Sequence, residues 1–385
     1  MSTTDRRAFI KAAAALPLAA AAGTTYAQAA KAVPAPQMPQ MPQTPDMIID
    51  MHAHALSERF LADLVKKPQA GLSCMRNDKG EFHLFRDGIP VGKSFDPHLV
   101  DLPTRLASLR RRHVELQLFA PPPGLLCAPG YATGVDLARL LQDQQDDIVH
   151  ASEGLMEGVA ILALGEPSRA ADELKRSVEK HGYRAAMIPT TAGGRPLDDP
   201  VYEPLFKMVE KLGITLIMHP ASSTRPDTLG GYDAYEVQVL VGWPGETSLA
   251  VARLIFSGFF EKYPAIKLVL CHGGGTVVFL RGRLDAAYEA NGWEAEPYFK
   301  KNITKPPSQY LSQLYYDSCA LSPDSNRWVI EMMGVDHVVF GSDYPFDIGD
   351  PEGRRSVPVI DSLAAPDRAK IYRGNAAALL ARKGI

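Results

Sequence analysis

The sequence predicts an α/β fold, a closed (β/α)8 or TIM barrel with a metal site at the C-terminal ends of its strands, and three observations carry that prediction. From residue 47 onward, eight short apolar runs rich in β-branched residues alternate with longer amphipathic ones. Most of the short runs are apolar throughout, the mark of a parallel sheet covered on both faces. Four of them end in histidine or aspartate, and a parallel barrel builds its chemistry at the carboxyl ends of its strands. An open, doubly wound sheet shows the same alternation and is the competing architecture.

The strands are expected at residues 47–51, 114–119, 158–164, 184–188, 215–218, 267–271, 314–318 and 337–340. Helical periodicity covers 134–150, 168–181, 201–212, 246–263, 276–288, 324–333 and 366–382. A further helix starting at Asp101 closes on Arg110-Arg111-Arg112, where positive charge favours the helix dipole and needs no ligand. With a net charge of −3 and interspersed signs, the chain has no broad basic surface for nucleic acid.

The front of the chain reads as an address. Asp5-Arg6-Arg7-Ala8-Phe9-Ile10-Lys11 precedes an Ala/Leu-rich stretch, and Ala27-Gln28-Ala29 offers the small residues of a cleavage site. Residues 1–29 are therefore expected to be a twin-arginine signal peptide and the protein periplasmic. The apolar stretch is shorter than the ~20 residues a spanning helix needs, so no stable membrane span is expected. Residues 30–46, with prolines at 34, 36, 39, 42 and 45, suit an extended linker, leaving 47–385 as a single catalytic domain. Cysteines 74, 127, 271 and 319 lack metal-binding spacing and are expected to be mostly free, partly buried thiols.

His52 and His54 sit two apart at the end of the first strand, so both imidazoles project to one side. His219 ends the fifth strand, His272 the sixth and Asp343 the eighth. Three neutral imidazoles and a carboxylate suit zinc and leave room for a water whose pKa falls from ~16 toward ~7 on coordination. His272, with an ordinary pKa of ~6.5, is placed to act as acid and base, or else as a fifth ligand or hydrogen-bond partner of one. Asp343 can serve as ligand and as general base. Gly273-Gly274-Gly275 either presents N–H groups to a substrate carboxylate or makes a tight strand-to-helix turn, the turn being favoured.

The segments Ile49-Asp50-Met51-His52-Ala53-His54, Met218-His219-Pro220, Cys271-His272-Gly273-Gly274-Gly275 and Phe340-Gly341-Ser342-Asp343-Tyr344-Pro345-Phe346 resemble the signature of the amidohydrolase superfamily. The likeness is greatest to the amidohydrolase-related branch containing aminocarboxymuconate semialdehyde decarboxylase. It implies that His52, His54, His219 and Asp343 hold one divalent metal, usually zinc, and that His272 handles protons. Some related decarboxylases carry glutamate at the first histidine and favour manganese, so zinc is expected and manganese is the alternative. Two-metal members use a lysine at the end of strand 4, which Ala185-Ala186-Met187-Ile188-Pro189-Thr190 lacks. Arg283 matches an arginine that reaches into the neighbouring subunit's site and pairs with a substrate carboxylate, implying a homodimer. Arg86 and Lys93 are candidates for a second anion contact, and Tyr232, Tyr235 and Trp243 for the pocket wall or for packing.

The expected activity is that of a metal-dependent decarboxylase of a small unsaturated or aromatic carboxylic acid. The alternative is a metal-dependent hydrolase of an amide, ester or lactone. A binding protein that kept the barrel and lost its activity is the third reading, and the intact five-residue set argues against it.

Overall fold

Parallel pairing runs in chain order through β1 (Ile48–Asp50), β2 (Val114–Phe119), β3 (Met156–Gly158 and Ala160–Ile161), β4 (Ala185–Pro189), β5 (Thr215–His219), β6 (Lys267–Leu270), β7 (Tyr315–Asp317) and β8 (Val338–Val339). These strands come from a computed structural model that describes residues 46–91, 96–128, 130–221, 234–290 and 299–381. The first half of β3 pairs with β2 and the second half with β4, so this one strand joins two stretches of sheet. Between β8 and β1 the ring is closed by backbone bonds. Met51 N–H donates to Phe340 O (2.9 Å), Asp343 N–H to His52 O (2.8 Å) and His54 N–H to Tyr344 O (2.7 Å). The sheet is thus a closed barrel, and the open doubly wound alternative is excluded.

Each of the first seven strands is followed by at least one helix, the longest in each case being α1 (Leu102–Arg111), α2 (Val135–Ala151), α3 (Pro167–His181), α4 (Glu203–Leu212), α5 (Trp243–Phe256), α6 (Val277–Glu289) and α7 (Pro323–Met333). Asp101 caps α1 by accepting from Thr104 N–H, as Ser322 caps α7 by accepting from Ser325 N–H. The strands are buried on both faces; every residue of β4 and β5 is inaccessible. That burial explains their unbroken apolar runs.

Several expected elements are shorter or divided. The helix expected at 246–263 starts at Trp243 and ends at Phe256, because Gly258 adopts φ 79° and a Cβ there would lie 2.6 Å from Asn302 O. The helix expected at 366–382 divides into Ala365–Ala369, a π-turn over Lys370–Gly374, and Asn375–Leu380. The segment after β1 holds elements that were not anticipated: a helix Glu58–Lys66 and an antiparallel sheet of Leu72–Arg76, Phe82–Arg86 and Ile89–Pro90. All four cysteines are buried, and no disulfide joins them. Arg110 and Arg111 pair with Glu153 and Glu352, protein carboxylates rather than a ligand.

The stretch Gln238–Phe256 is long and apolar enough to cross a membrane by length and composition alone. One side of it, including Thr247, Val251, Leu254 and Ile255, is buried. Leu240, Val241 and Leu249 are exposed, as are Phe279 on α6 and Trp328 on α7, whose rings lie 6.3 Å apart.

Candidate metal centre

The mouth of the barrel rests on a buried polar frame. Asp50, at the end of β1, accepts from His52 N–H (3.2 Å), Ser342 N–H (3.0 Å), Ser342 Oγ (2.5 Å) and Gln117 Nε2 (2.8 Å). Gln117 in turn accepts from the buried Arg105 guanidinium (3.1 Å), which also donates to His54 O and lies over the Tyr344 ring at 4.4 Å. Burial pulls the Arg105 pKa down to about 10, which leaves it charged at neutral pH. One connected network thereby locks β1, β2 and the segment after β8, whose side chains form the site.

Into that mouth project His52, His54, His219 and Asp343, all buried. Nε2 of His52 lies 3.3 Å from Nε2 of His54, and Asp343 Oδ1 is 3.3 Å from the first and 3.2 Å from the second. The His219 ring centroid is 5.0 Å from those of both His52 and His54. Donor atoms of His52, His219, His272 and Asp343 all lie within 4.8 Å of one another.

The hydrogen-bond partners on the far side of each ring decide which atoms face the centre. His52 Nδ1 meets Asp317 Oδ2 (2.7 Å), His54 Nδ1 meets Pro121 O (3.4 Å) and His219 Nδ1 meets Pro220 O (2.5 Å). Each partner only accepts, so each Nδ1 carries the hydrogen and each Nε2 of a neutral ring presents a lone pair. His219 Nε2 and Asp343 Oδ1 are buried without a hydrogen-bond partner. Three imidazole nitrogens and a carboxylate oxygen converging in a buried site fit a divalent cation.

The electrostatics state the same demand. Burial pushes His219 well below its ordinary value, and the neighbouring His272, His52 and His54 add to the shift. For Asp343 burial acts upward, but the surrounding imidazoles, His52 foremost, hold it well below the usual carboxylate range. Burial also opposes charge on His52, yet Cys271, Asp343 and Asp317 together raise its pKa well above 6.5. Burial lifts the Cys271 thiol to about 11, so at neutral pH the two carboxylates sustain that effect. Without a cation, the cluster recruits a proton in its place.

His272 stands at the rim. Its Nε2 is 3.5 Å from Asp343 Oδ2, and its side chain is 12% exposed against 5% or less for His52, His54 and Asp343. Both His272 (φ 57°) and Asp343 (φ 55°) occupy the left-handed region, strain of about 1–3 kcal/mol each that concentrates where function fixes geometry. In the glycine run, Gly273 N–H donates to Asp317, Gly274 N–H to Cys271 O and Gly275 N–H to His272 O. All three donors are used internally, so the run is a tight turn and not a carboxylate cradle. Trp243 lies against His272 (centroids 6.3 Å, 28° between planes) and edge-on to His219 (5.7 Å), forming one wall.

Other candidates lie elsewhere. Tyr235 is 90% exposed and lines nothing. Arg86 pairs through Nε with Asp87 (3.0 Å) and lies over the face of Tyr131 (4.4 Å), while its Nη1 is buried without a hydrogen-bond partner among the described residues. Arg283 is exposed on α6. Lys93, Tyr232, residues 1–29, where a signal peptide is expected, and residues 30–45 of the expected linker lie outside the described residues. Sequence reasoning missed Asp50, Gln117, Arg105 and Asp317; only Asp50, inside the quoted first motif, had a local signal.

Fold and site together define a closed α/β barrel built to hold a cation at its mouth. Residues 49–382 match the amidohydrolase family, and the chain belongs to it. It is 28% identical over 335 residues to 2-amino-3-carboxymuconate-6-semialdehyde decarboxylase of Dictyostelium discoideum, covering 85% of this chain and 90% of the relative. Among solved structures it resembles Metarhizium anisopliae IDCase in apo form (TM-score 0.72, 19% identity, 87% of this chain and 97% of that one). It also resembles a dihydroxybenzoic acid decarboxylase of Polaromonas sp. JS666 with bound manganese and the inhibitor 2-nitroresorcinol (TM-score 0.67, 22% identity, 87% and 97%).

Proposed function

We propose that this chain is a metal-dependent decarboxylase, a carboxy-lyase acting on a small unsaturated or aromatic carboxylic acid. The observation that carries the reading is His272, the imidazole of the cluster that opens to the mouth, its Nε2 3.5 Å from Asp343 Oδ2. The Dictyostelium relative and the Polaromonas structure, both decarboxylases by name, support it.

His52, His54, His219 and Asp343 would hold a divalent cation, which when bound would supply positive charge to orient and polarise the substrate's oxygens. His272 delivers its proton to the carbon bearing the carboxylate, forming a C–H bond and making that carbon tetrahedral. The bond to the carboxylate then breaks, its electron pair restores conjugation and carbon dioxide leaves. The net change is R–COO⁻ plus H⁺ to R–H plus carbon dioxide. Trp243 covers one side of the His272 ring and limits water there.

The donor set of three imidazoles and one carboxylate favours zinc over manganese. The exposed Leu249, Phe279 and Trp328 favour a homodimer, in which we place Arg283 at the partner's site as a fork for the substrate carboxylate. We assign the first 29 residues to twin-arginine export and the mature chain to the periplasm, which cell fractionation tests. The reaction is tested with metal-loaded protein on a panel of dihydroxybenzoates, unsaturated carboxylates, esters and lactones. Carbon dioxide release is expected; hydrolytic products without it would overturn the reading in favour of a hydrolase.

A further inference from the structure

We propose that Asp317 is a positioning residue whose two oxygens tie the His52 ring to the turn that carries His272. The inference rests on the metal reading of the site and not on decarboxylation. Strand β7 contributes no side chain to the mouth itself, yet its last residue is a fully buried carboxylate directly behind the site. Its Oδ2 lies 2.7 Å from His52 Nδ1. Its Oδ1 accepts from Gly273 N–H at 2.8 Å and from Cys319 N–H at 3.1 Å. Among the described residues no lysine or arginine pairs with it, so its charge is spent on these three donors.

The first arm fixes a tautomer. A carboxylate only accepts, so His52 must keep its hydrogen on Nδ1 and turn the Nε2 lone pair toward His54 Nε2 and Asp343 Oδ1, each 3.3 Å away. His54 and His219 use backbone carbonyls for the same purpose. His52 alone among the three is held by an anionic side chain, which also makes its ring the more basic ligand. Cys271, whose ligand atom lies within 4.8 Å of those of His52 and Asp317, offers only a weak acceptor.

The second arm anchors strain. His272 (φ 57°) and Gly273 (φ 61°) are consecutive left-handed residues, a conformation that persists only where neighbouring groups hold it. The Gly273 N–H bond to Asp317 supplies that hold one residue from the imidazole that faces the mouth. A single buried carboxylate thus sets both the first metal ligand and the rim histidine, from strands 1 and 6, across strand 7.

Asp317→Asn separates the arms. The amide oxygen can still accept from Gly273 and Cys319, but the amide N–H₂ facing His52 forces the imidazole to put its hydrogen on Nε2, into the cluster. Zinc affinity, measured by competition with a chromophoric chelator, is expected to fall about 10–100-fold. The metal-free protein should keep its circular dichroism spectrum. Asp317→Ala removes both arms and should in addition lower kcat at saturating zinc, with Asp317→Glu failing to restore it. Asp317→Asn that binds zinc as tightly as wild type overturns the inference alone; wild-type protein that binds no divalent ion overturns the metal reading with it. If the variants do not fold, nitrogen-15 spectra of histidine-labelled, zinc-loaded wild type decide. Hydrogen on His52 Nδ1 is expected, and hydrogen on Nε2 overturns the inference.

Discussion

The barrel mouth and the outer face of α5, α6 and α7 are incomplete in opposite senses. At the mouth, His52, His54, His219 and Asp343 are each at most 3% exposed, yet His219 Nε2 and Asp343 Oδ1 are buried there without a hydrogen-bond partner. On the outer face Leu249 is 67% and Phe279 76% exposed, apolar surface that none of the described residues covers. Buried polar groups without partners call for a charge, and exposed apolar groups call for a partner surface. The first deficit points to a cation and the second to another copy of the chain. In the proposed dimer Arg283, on the same helix as Phe279, would be the residue through which the two deficits meet.

The largest effect expected separates ligand from proton donor within the mouth. His272→Asn should lower kcat by about 10²–10⁴-fold, the ordinary worth of a positioned acid or base, while zinc content and oligomeric state stay unchanged. Turnover by carbon dioxide release and metal analysis of the same preparation check it. A parallel loss of zinc would make His272 a ligand and erase its distinction from the four buried groups.

Next comes the outer face. Leu249→Glu combined with Phe279→Glu should convert the dimer to monomer in analytical ultracentrifugation, because two charges cannot be buried there without partners. Zinc should remain, and turnover should fall at least about 30-fold if Arg283 serves the partner's substrate. Retained turnover in the monomer would uncouple face from mouth. Mixing sharpens the point. Arg283→Ala and His272→Asn are each impaired, but a heterodimer of the two holds one intact site, so an equal mixture should recover about a quarter of wild-type activity. No recovery would place Arg283 outside the partner's site.

Legibility in the sequence followed the same division. The mouth was readable where a ligand directly follows an apolar run, as with Leu216-Ile217-Met218 before His219, because strand direction and ligand position coincide. Asp317 was unreadable because its meaning lies in a partner 265 residues away. The hairpin after β1 did leave a trace: Leu72 and Cys74, then Phe82 and Leu84, alternate inward on either side of Asn77-Asp78-Lys79-Gly80, a turn sequence. The break at Gly258 was likewise signalled by a glycine inside an apolar helical pattern. The outer face left no signal, since its exposed apolar residues have the spacing of an ordinary core helix.

The smallest effect is a pH dependence expected at the mouth and not at the outer face. In metal-free protein the His52 pKa is raised, so its contribution to stability is complete below the ordinary ~6.5 and is lost as pH climbs through the folded value. His219 is shifted down and sheds stability only as pH falls below that ordinary value, and Asp343, also shifted down, only in acid. Zinc must displace the His52 proton, so its affinity should rise with pH over the window in which that proton is held, by up to about tenfold per unit, and one proton should appear in calorimetry with buffers of different ionisation heat. Metal-free midpoints should therefore decline from pH 6.5 to 8 while zinc-loaded midpoints climb. Dimerisation should not change over that range, because Leu249, Phe279 and Trp328 carry no ionisable group. A zinc affinity flat across the window would mean that the cluster holds no proton for the cation to replace.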